Sequence, residues 1–373
     1  TNTAVGLQAL HRNTTASNNT AVGRNAMEAN TTGTRNVAVG ALALDTSTTG
    51  DQNTAVGYGA MDANTTGSNN VAIGDAALAS NTTANANTAV GDDALKFNTT
   101  GTSNVALGYE ALLTNTTADN NTAVGLRALK LNTTGASNVA VGANALDANT
   151  TASQNTAVGY NALTATTTGA ANTAVGFEAL DANTTAANNV GIGWRALYAN
   201  TTGTQNTVVG ASAGVALTTG SNNTAFGFEA LKNEDAHGNN TAIGTQTLFA
   251  QNAGADAYNT AVGYQAGAAT TTGVNNTIIG ALAGDAITTG RWNNALGVNA
   301  LTANTDGEEN VAVGFNALAA ADGGDANVAM GNAAGYGITS GGNNIVIGKD
   351  AGRTGSPGGN ITTGSNEIAI GDE

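Results

Sequence analysis

The sequence predicts an all-β protein, a parallel β-solenoid (β-roll) of about 22 coils with 17 residues in each coil. One 17-residue repeat recurs throughout the chain: residues 2–18 read NTAVGLQALHRNTTASN, and residues 19–35 read NTAVGRNAMEANTTGTR. The glycine that closes the AVG group recurs 22 times, at intervals of 17 residues from Gly6 to Gly244. A short fixed period indicates units that cannot bury an apolar face alone and therefore stack on their neighbours.

Positions in each coil are counted from this glycine, which is position 0. The consensus is Asn at −4, Thr or Val at −3, Ala at −2, Val or Ile at −1, Ala at +3, Leu or Met at +4, and a polar NTTG group from +7 to +10. Apolar residues do not recur at the 3.6-residue spacing of a helix, and β-branched residues alternate with the turn formers Gly and Asn. We therefore expect two short strands and two tight turns in each coil, and no helix.

The glycine at position 0 is interpreted as a structural corner. Glycine supplies a backbone with positive φ, or room for close packing between coils, because it has no Cβ atom. The first members of this row are Gly6, Gly23, Gly40, Gly57 and Gly74.

The asparagine at −4 is interpreted as a structural ladder. It is present in 21 of the 22 coils, with Glu367 as the exception. Stacked coils lie about 4.8 Å apart, so each amide can donate to one neighbour and accept from the other. Aspartates about 5 Å apart would repel by roughly 3 kcal/mol per pair at an effective dielectric of 20. The ladder begins with Asn2, Asn19, Asn36, Asn53 and Asn70.

Substitutions at +4 and +7 compensate each other, which supports the solenoid independently. Where Gly replaces Leu at +4, an aliphatic residue usually replaces Asn at +7, as expected if both side chains fill one cavity. The glycines are Gly214, Gly267, Gly284, Gly335 and Gly352, and the aliphatic residues are Leu217, Ile287, Ile338 and, after an insertion, Ile361.

The strand from −3 to −1 is apolar on both faces. We expect the larger residues at −3 and −1 to fill the coil and Ala at −2 to form a flat outer face that packs against another body. Few core side chains are available per coil to offset an ordering entropy of about 1–2 kcal/mol per residue. The sequence therefore predicts self-association, as a homotrimeric fibre.

Two parts of the chain differ in regularity. Residues 1–248 form the regular 17-residue-repeat solenoid, and residues 249–373 continue it with two turn insertions, at 249–258 and 353–361. Loops on a rigid scaffold often carry recognition, but irregular coils are equally expected near the end of a shaft.

Composition limits the classes of function. The net charge of −15 with only 11 Lys and Arg argues against nucleic acid as a partner, because that affinity rests on neutralising phosphates. The chain has no Cys, hence no disulfide framework and no thiolate metal site. No apolar run is long enough to span a bilayer. The chain opens in mid-repeat, and we expect it to be a piece of a longer protein.

No constellation of catalytic residues is recognised, so the chain is not expected to be an enzyme or to hold a cofactor or metal. His11 and His237 lie in variable turns and are interpreted as ordinary surface residues. Acidic residues such as Asp45 and Asp147 are interpreted as solubilising charges. The GGxGxD calcium signature of other β-rolls does not recur.

Position +1 is aromatic in eight coils, and three of these are consecutive: Tyr160, Phe177 and Trp194. We expect these three rings to stack as a surface stripe. The stripe is either a ligand-binding platform for a glycan or receptor, or a ladder that stabilises the coil edge or packs against another chain.

The repeated NTT groups leave two further readings open. Stacked Thr rows could bind ice or another ordered surface, although the rows are broken at residues 234–236 and 253–254. The groups also match the N-glycosylation pattern, a match expected in any sequence so rich in Asn and Thr.

The groups NVAIG, NTAVG and NVALG, each followed by two variable residues and Ala, resemble the head repeats of trimeric autotransporter adhesins of the YadA type. The longer motif NTAVGYxAL…NTTGSNNTAVG is similar to repeats of phage and bacterial tail-fibre-like proteins. The resemblance covers essentially the whole chain, with about three extra residues per coil relative to the adhesin unit. It implies a three-chain β-roll bundle, extracellular or on a virion surface, that serves as a fibre shaft or head and mediates attachment to a cell-surface receptor or glycan.

Overall fold

A computed structural model describes residues 1–353 and 359–371. Two compact units divide the chain, Thr1–Ala187 and Asn188–Glu373. The sequence-based division after residue 248 follows the insertions rather than the packing, and it stays a prediction.

The first unit contains eleven strands of three residues, and each strand pairs in parallel with the next one along the chain. The strands are β1 (Thr3–Val5), β2 (Thr20–Val22), β3 (Val37–Val39), β4 (Thr54–Val56), β5 (Val71–Ile73), β6 (Thr88–Val90), β7 (Val105–Leu107), β8 (Thr122–Val124), β9 (Val139–Val141), β10 (Thr156–Val158) and β11 (Thr173–Val175).

The second unit also contains eleven strands of three residues, paired in the same way. They are β12 (Val190–Ile192), β13 (Thr207–Val209), β14 (Thr224–Phe226), β15 (Thr241–Ile243), β16 (Thr260–Val262), β17 (Thr277–Ile279), β18 (Asn294–Leu296), β19 (Val311–Val313), β20 (Val328–Met330), β21 (Ile345–Ile347) and β22 (Ile368–Ile370).

Within each unit, each coil closes in register on the next one; in the first unit Ala4 pairs with Ala21 and Val5 with Val22. Backbone hydrogen bonds continue the stacking outside the strands; the Gly23 amide donates to the Val5 carbonyl at 2.8 Å. The architecture is an all-β parallel β-solenoid with turns 17 residues apart, and the described residues contain no helix. The predicted all-β parallel β-solenoid is confirmed, while its assembly into a homotrimeric fibre stays a prediction.

The second predicted strand of each coil is absent from the described residues. The segment from +1 to +6 is a continuous turn in the regular coils, because residues at +2 and +4 adopt the left-handed conformation. Asn25 has φ of 60° and Met27 has φ of 51°. Alternating left-handed residues cannot form a ladder of extended backbone, so Leu or Met at +4 enters the core from a turn.

The core of a coil is narrow and lies between the strand and this turn. Ala at −2, Ala at +3 and Leu or Met at +4 are fully buried, as shown by Ala21, Ala26 and Met27 at 0% exposure. The predicted orientation of the strand was therefore wrong: Ala at −2 points inward, and the residues at −3 and −1 point outward. A larger inward side chain would meet the residue at +4; a Cβ built on Gly214 would lie 3.5 Å from the Val208 side chain.

The asparagine row at −4 is buried from Asn19 to Asn344 and joins successive coils within each unit. The Asn19 backbone N–H donates to Asn2 Oδ1 at 2.9 Å, and the Asn19 side-chain Nδ2 donates to the Gly33 carbonyl at 2.8 Å. The same pair of bonds recurs at Asn36, Asn53 and, with a bond to the Ala84 carbonyl, Asn70. The Asn side chains at −4 thus bond mainly to backbone groups. The predicted ladder, in which each side-chain amide bonds to the next side-chain amide, is not the main arrangement in this row.

A ladder of amide side chains does exist at +7, a row to which the sequence analysis assigned no such role. Asn115 Nδ2 donates to Asn98 Oδ1 at 2.8 Å, and Asn132 Nδ2 donates to Asn115 Oδ1 at 2.8 Å. Each of these amides also donates to the carbonyl at +10 of its own coil, as Asn115 does to Ala118. Two polar columns therefore run through an interior that is otherwise aliphatic.

The glycine at position 0 has both properties expected of a corner. Its φ is +132° at Gly6 and +139° at Gly57, a region that L side chains rarely adopt. A Cβ atom there would also lie within 3.0 Å of the carbonyl oxygen of the glycine in the next coil. The same geometry recurs at Gly23, Gly40 and Gly74.

The predicted compensation between +4 and +7 is confirmed. Leu217, Ile287 and Ile338 are fully buried. A Cβ built on Gly284 would lie 2.7 Å from Ile287 Cδ1, so the aliphatic side chain fills the space that a residue at +4 would enter. Volume is conserved within the coil.

The first insertion changes the polar columns. Residues 252, 254–256 and 258 are exposed, while Ala253 and Ala257 are buried. Asn259 donates to Gln251 Oε1 at 2.8 Å, and the buried Asn240 Nδ2 has no hydrogen-bond partner within the described residues. Most of the second predicted insertion, residues 354–358 within 353–361, lies outside the described residues.

Candidate interaction surface

The outward face of the strands is uncharged, with an apolar row at −1 and a mixed row of Thr and aliphatic residues at −3. Across the 22 coils, positions −3 and −1 hold Thr, Val, Ile, Leu, Phe, Met and a single Asn, and never a charged residue. These side chains are partly or largely exposed, for example 45% at Leu107 and 48% at Met330. The strand face therefore presents a continuous uncharged surface with an apolar row along it in each unit.

The size of this strand face is that of a functional patch. Eleven strands at about 4.8 Å spacing and three residues at about 3.3 Å give roughly 500 Å² in each unit. The largest apolar patch on a typical monomer is about 300–600 Å² and is often functional. The described units thus each expose a surface at the upper end of that range.

Two residues of the predicted aromatic stripe stack in the first unit. The rings of Tyr160 and Phe177 have centroids 5.3 Å apart and are inclined by 18°, and both side chains are nearly half exposed. Trp194 belongs to the second unit, where the Arg195 guanidinium lies 5.0 Å from its ring centroid and 4.9 Å from that of Tyr198. Cations over aromatic faces attract them electrostatically.

An unbroken row of exposed threonines occupies position +9 of the first unit. Thr at +8 uses its hydroxyl internally, since Thr31 Oγ1 donates to the Thr48 carbonyl at 2.9 Å. The exposed row consists of Thr15, Thr32, Thr49, Thr66, Thr83, Thr100, Thr117, Thr134, Thr151, Thr168 and Thr185.

Surface carboxylates form both attractive and repulsive columns. The pKa of Glu110 is lowered, first by the hydrogen bond from Lys130 at 2.8 Å and further by those from Tyr109 and Arg127. At +5 of three successive coils, Glu28, Asp45 and Asp62 are all acidic. Burial first, then Glu28 and Asp62, raises the pKa of Asp45.

The two histidines differ in their surroundings. His11 is exposed, as the sequence interpretation expects. His237 is only 28% exposed at its side chain and lies beside the fully buried Glu234, with Nδ1 3.5 Å from Glu234 Oε1. Burial raises the pKa of the Glu234 carboxyl, and the His237 charge and backbone amide oppose that shift. Residues 234–237 depart from the NTTG consensus at all four positions, and three of the four residues are ionisable. This signal in the sequence points to the cluster.

The described part of the chain has neither a pocket nor a membrane-spanning helix. Residues 1–353 and 359–371 form no pocket. The same residues include no helix that is long and apolar enough to cross a membrane.

No protein-family model matches the chain, and no curated protein matches it either.

Proposed function

We propose that the chain is a structural segment of a homotrimeric fibre, a shaft or head on a cell or virion surface, that mediates attachment to a receptor or glycan. The proposal rests first on one observation: the strand face is uncharged and exposed in coil after coil. Its alternative remains a solenoid that binds ice or another ordered surface.

The strand face supports self-association because it is the part of the coil that water solvates least well. At about 25 cal/mol per Å² of buried apolar area, covering roughly 500 Å² per unit contributes a large favourable term before the costs of association. A uniform face without charges fits another copy of itself, since no side chain there requires a complementary partner of opposite charge. The choice of three chains follows from the resemblance to YadA-type head repeats.

The exposed aromatic rings support attachment. Tyr160 and Phe177 stack with one ring face directed at the other, and both side chains remain nearly half exposed, with one phenolic hydroxyl. Flat aromatic faces pack well against the apolar faces of sugar rings, and a Tyr hydroxyl can bond to sugar hydroxyls. A glycan is therefore the ligand class that we assign to this pair.

Molar mass in solution tests the assembly. We expect light scattering to give three times the chain mass of 36.3 kDa. Ile73→Lys with Leu107→Lys places charges on the strand face and is expected to yield monomers, because a lysine there would be desolvated at the interface. Leu131→Lys is the matched control, since Leu131 is as exposed as these residues but lies in a turn.

A native chain that is monomeric at all concentrations would contradict the fibre proposal. So would a trimer that withstands both lysines, because the strand face would then lie outside its interface. Attachment is tested separately with a glycan array, on which Tyr160→Ala with Phe177→Ala should lose binding while Tyr58→Ala retains it.

The surface-binding alternative is favoured by the threonine row at +9 of the first unit. Eleven exposed hydroxyls at about 4.8 Å intervals form a regular lattice along the coils. Thermal hysteresis measures ice binding directly. Thermal hysteresis that falls when Thr100 and Thr117 are changed to Lys would support this alternative. Absence of thermal hysteresis in the native chain would exclude ice binding.

A further inference from the structure

One turn of the second unit departs from the repeat at all four positions from +7 to +10, and three of these departures introduce a side chain that can bind a metal. In the coil of Gly227, Glu234 stands at +7, Asp235 at +8 and His237 at +10, where the repeat has Asn, Thr and Gly. Surface drift would scatter such changes over many coils. Their concentration within four residues indicates a local function.

The three side chains are close enough to share one ion. A carboxylate oxygen of Glu234, one of Asp235 and a ring nitrogen of His237 all lie within 4.8 Å of one another. Ligand atoms at about 2.0–2.1 Å from a tetrahedral zinc ion are separated by roughly 3.4 Å. His237 Nδ1 and Glu234 Oε1 are already 3.5 Å apart, so rotation of Asp235 completes the approach.

The buried carboxylate has unused coordination capacity. Glu234 is completely buried, and its Oε2 has no hydrogen-bond partner within the described residues; Oε1 accepts the His237 backbone N–H at 3.1 Å. The Asn that normally stands at +7 donates to the carbonyl at +10, which a carboxylate cannot do. Burying a carboxylate with one oxygen that lacks a hydrogen bond is costly, and a cation offsets that cost. His237 Nδ1 is likewise buried without a hydrogen-bond partner.

The turn that carries these groups is held from both neighbouring coils. Thr218 donates to the Asp235 carbonyl through its backbone N–H at 2.5 Å and its hydroxyl at 2.6 Å. From the following coil, Asp256 accepts the Gly238 N–H and the Asn239 side-chain amide, both at 2.9 Å. The backbone is thus fixed while the three side chains remain available to converge.

We propose that Glu234, Asp235 and His237 bind one divalent transition-metal ion of the zinc class, with water completing the coordination. One imidazole nitrogen with two carboxylate oxygens is a donor set suited to Zn²⁺. Ca²⁺ prefers six to eight oxygen ligands, more than this turn provides.

The test uses the untagged full chain, stripped with a chelator and dialysed against Zn²⁺ alone, with bound metal measured by mass spectrometry. We expect one Zn²⁺ per chain. Glu234→Asn and His237→Gly restore the repeat residues, so the solenoid should persist, as far-ultraviolet circular dichroism can verify. Since loss of an outer-shell partner alone typically costs about 10–100-fold in affinity, each variant should bind at least tenfold more weakly.

His11→Ala is the matched control, because His11 is the only other histidine and is exposed; its affinity should equal that of the native chain. Co²⁺ substitution gives a second measurement, as visible absorption bands that His237→Gly abolishes. Zn²⁺ binding equal to background in the native chain, or unchanged binding in His237→Gly, would overturn the proposal and leave an internal His–Glu pair only.

Discussion

The two units follow one repeat but fill their interiors differently. In Thr1–Ala187 every coil has Leu or Met at +4, and Asn, Ser or Thr at +7. In Asn188–Glu373, five coils have Gly at +4, and +7 holds Leu, Glu, Gln, Ile or Ala in most coils. The first unit therefore combines an aliphatic residue with an amide ladder, whereas the second often exchanges the ladder for an aliphatic residue.

The difference shows that the position of the large side chain is adjustable. Leu112 at +4 has φ of 54°, a left-handed conformation that costs a residue with a Cβ roughly 1–2 kcal/mol. Gly284 adopts φ of 51° without that penalty, while Ile287 supplies the buried volume. The first unit thus accepts backbone strain and keeps most of its amide ladder, which is interrupted at Ser47 and Thr166. The second unit often has a relaxed turn and loses the ladder.

The largest expected effect comes from converting a coil of the first unit to the second arrangement. Leu112→Gly should lower local stability by about 2–4 kcal/mol, because the cavity outweighs the relief of strain. Adding Asn115→Ile should recover at least about 1 kcal/mol, as expected for side chains that share a cavity. Native-state hydrogen exchange in this coil measures both values.

The single change Asn115→Ile is the control for that pair. It breaks the bonds to Asn98 and Asn132 without providing space at +4, and it should destabilise the coil on its own. Strictly additive effects of the two substitutions would show that the positions do not share a cavity.

An intermediate effect is expected at the corner glycines, which both units retain. Gly57→Ala should cost about 3 kcal/mol, because it combines an unfavourable φ of +139° with a clash against the Gly74 carbonyl. Gly59→Asn is the matched control two residues later. Its φ is +60°, its Cβ meets only Asp62 at 4.0 Å, and Asn25 has the same φ at the same position. Equal losses in thermal unfolding temperature would refute the corner role.

The smallest effect concerns the acidic column of the first unit. The pKa of Asp45 is raised in the folded chain by burial and by Glu28 and Asp62, so its ionised form opposes folding. Asp45→Asn should therefore stabilise at pH 7, by less than about 0.5 kcal/mol because the site is solvated. The gain should shrink as pH falls through the folded pKa and vanish below the unfolded pKa. A gain independent of pH would contradict this origin.

The sequence predicted the coil, its register and the exchange of volume between +4 and +7, because these depend on the period and on residue size. It did not predict which face of the strand is inward. A three-residue strand with apolar side chains on both faces permits either orientation, and burial was assigned to the larger residues. A usable signal was present: −2 exceeds Ala only at Val208, Ile278 and Val346, in coils where +4 is Gly.

The cluster at Glu234 was missed for a different reason. In the sequence alone, a single histidine in a variable turn, such as His237, cannot be told from an ordinary exposed histidine. Its proximity to a buried carboxylate depends on the local turn and on the two neighbouring coils: Thr218 of the preceding coil bonds to Asp235, and Asp256 of the following coil bonds to Gly238. Such proximity follows from the three-dimensional arrangement and not from spacing alone.

The one-directional bonds of the −4 column have a consequence for evolution. Oδ1 of each Asn accepts a hydrogen bond from a backbone N–H of the following coil. Because the donor is a backbone group, this bond does not depend on which side chains the following coil carries. A whole 17-residue segment can therefore be gained or lost by recombination, and the broken bonds re-form with the next copy. Chain length becomes a quantity that unequal crossing-over between repeats can change in steps, without redesign of any interior.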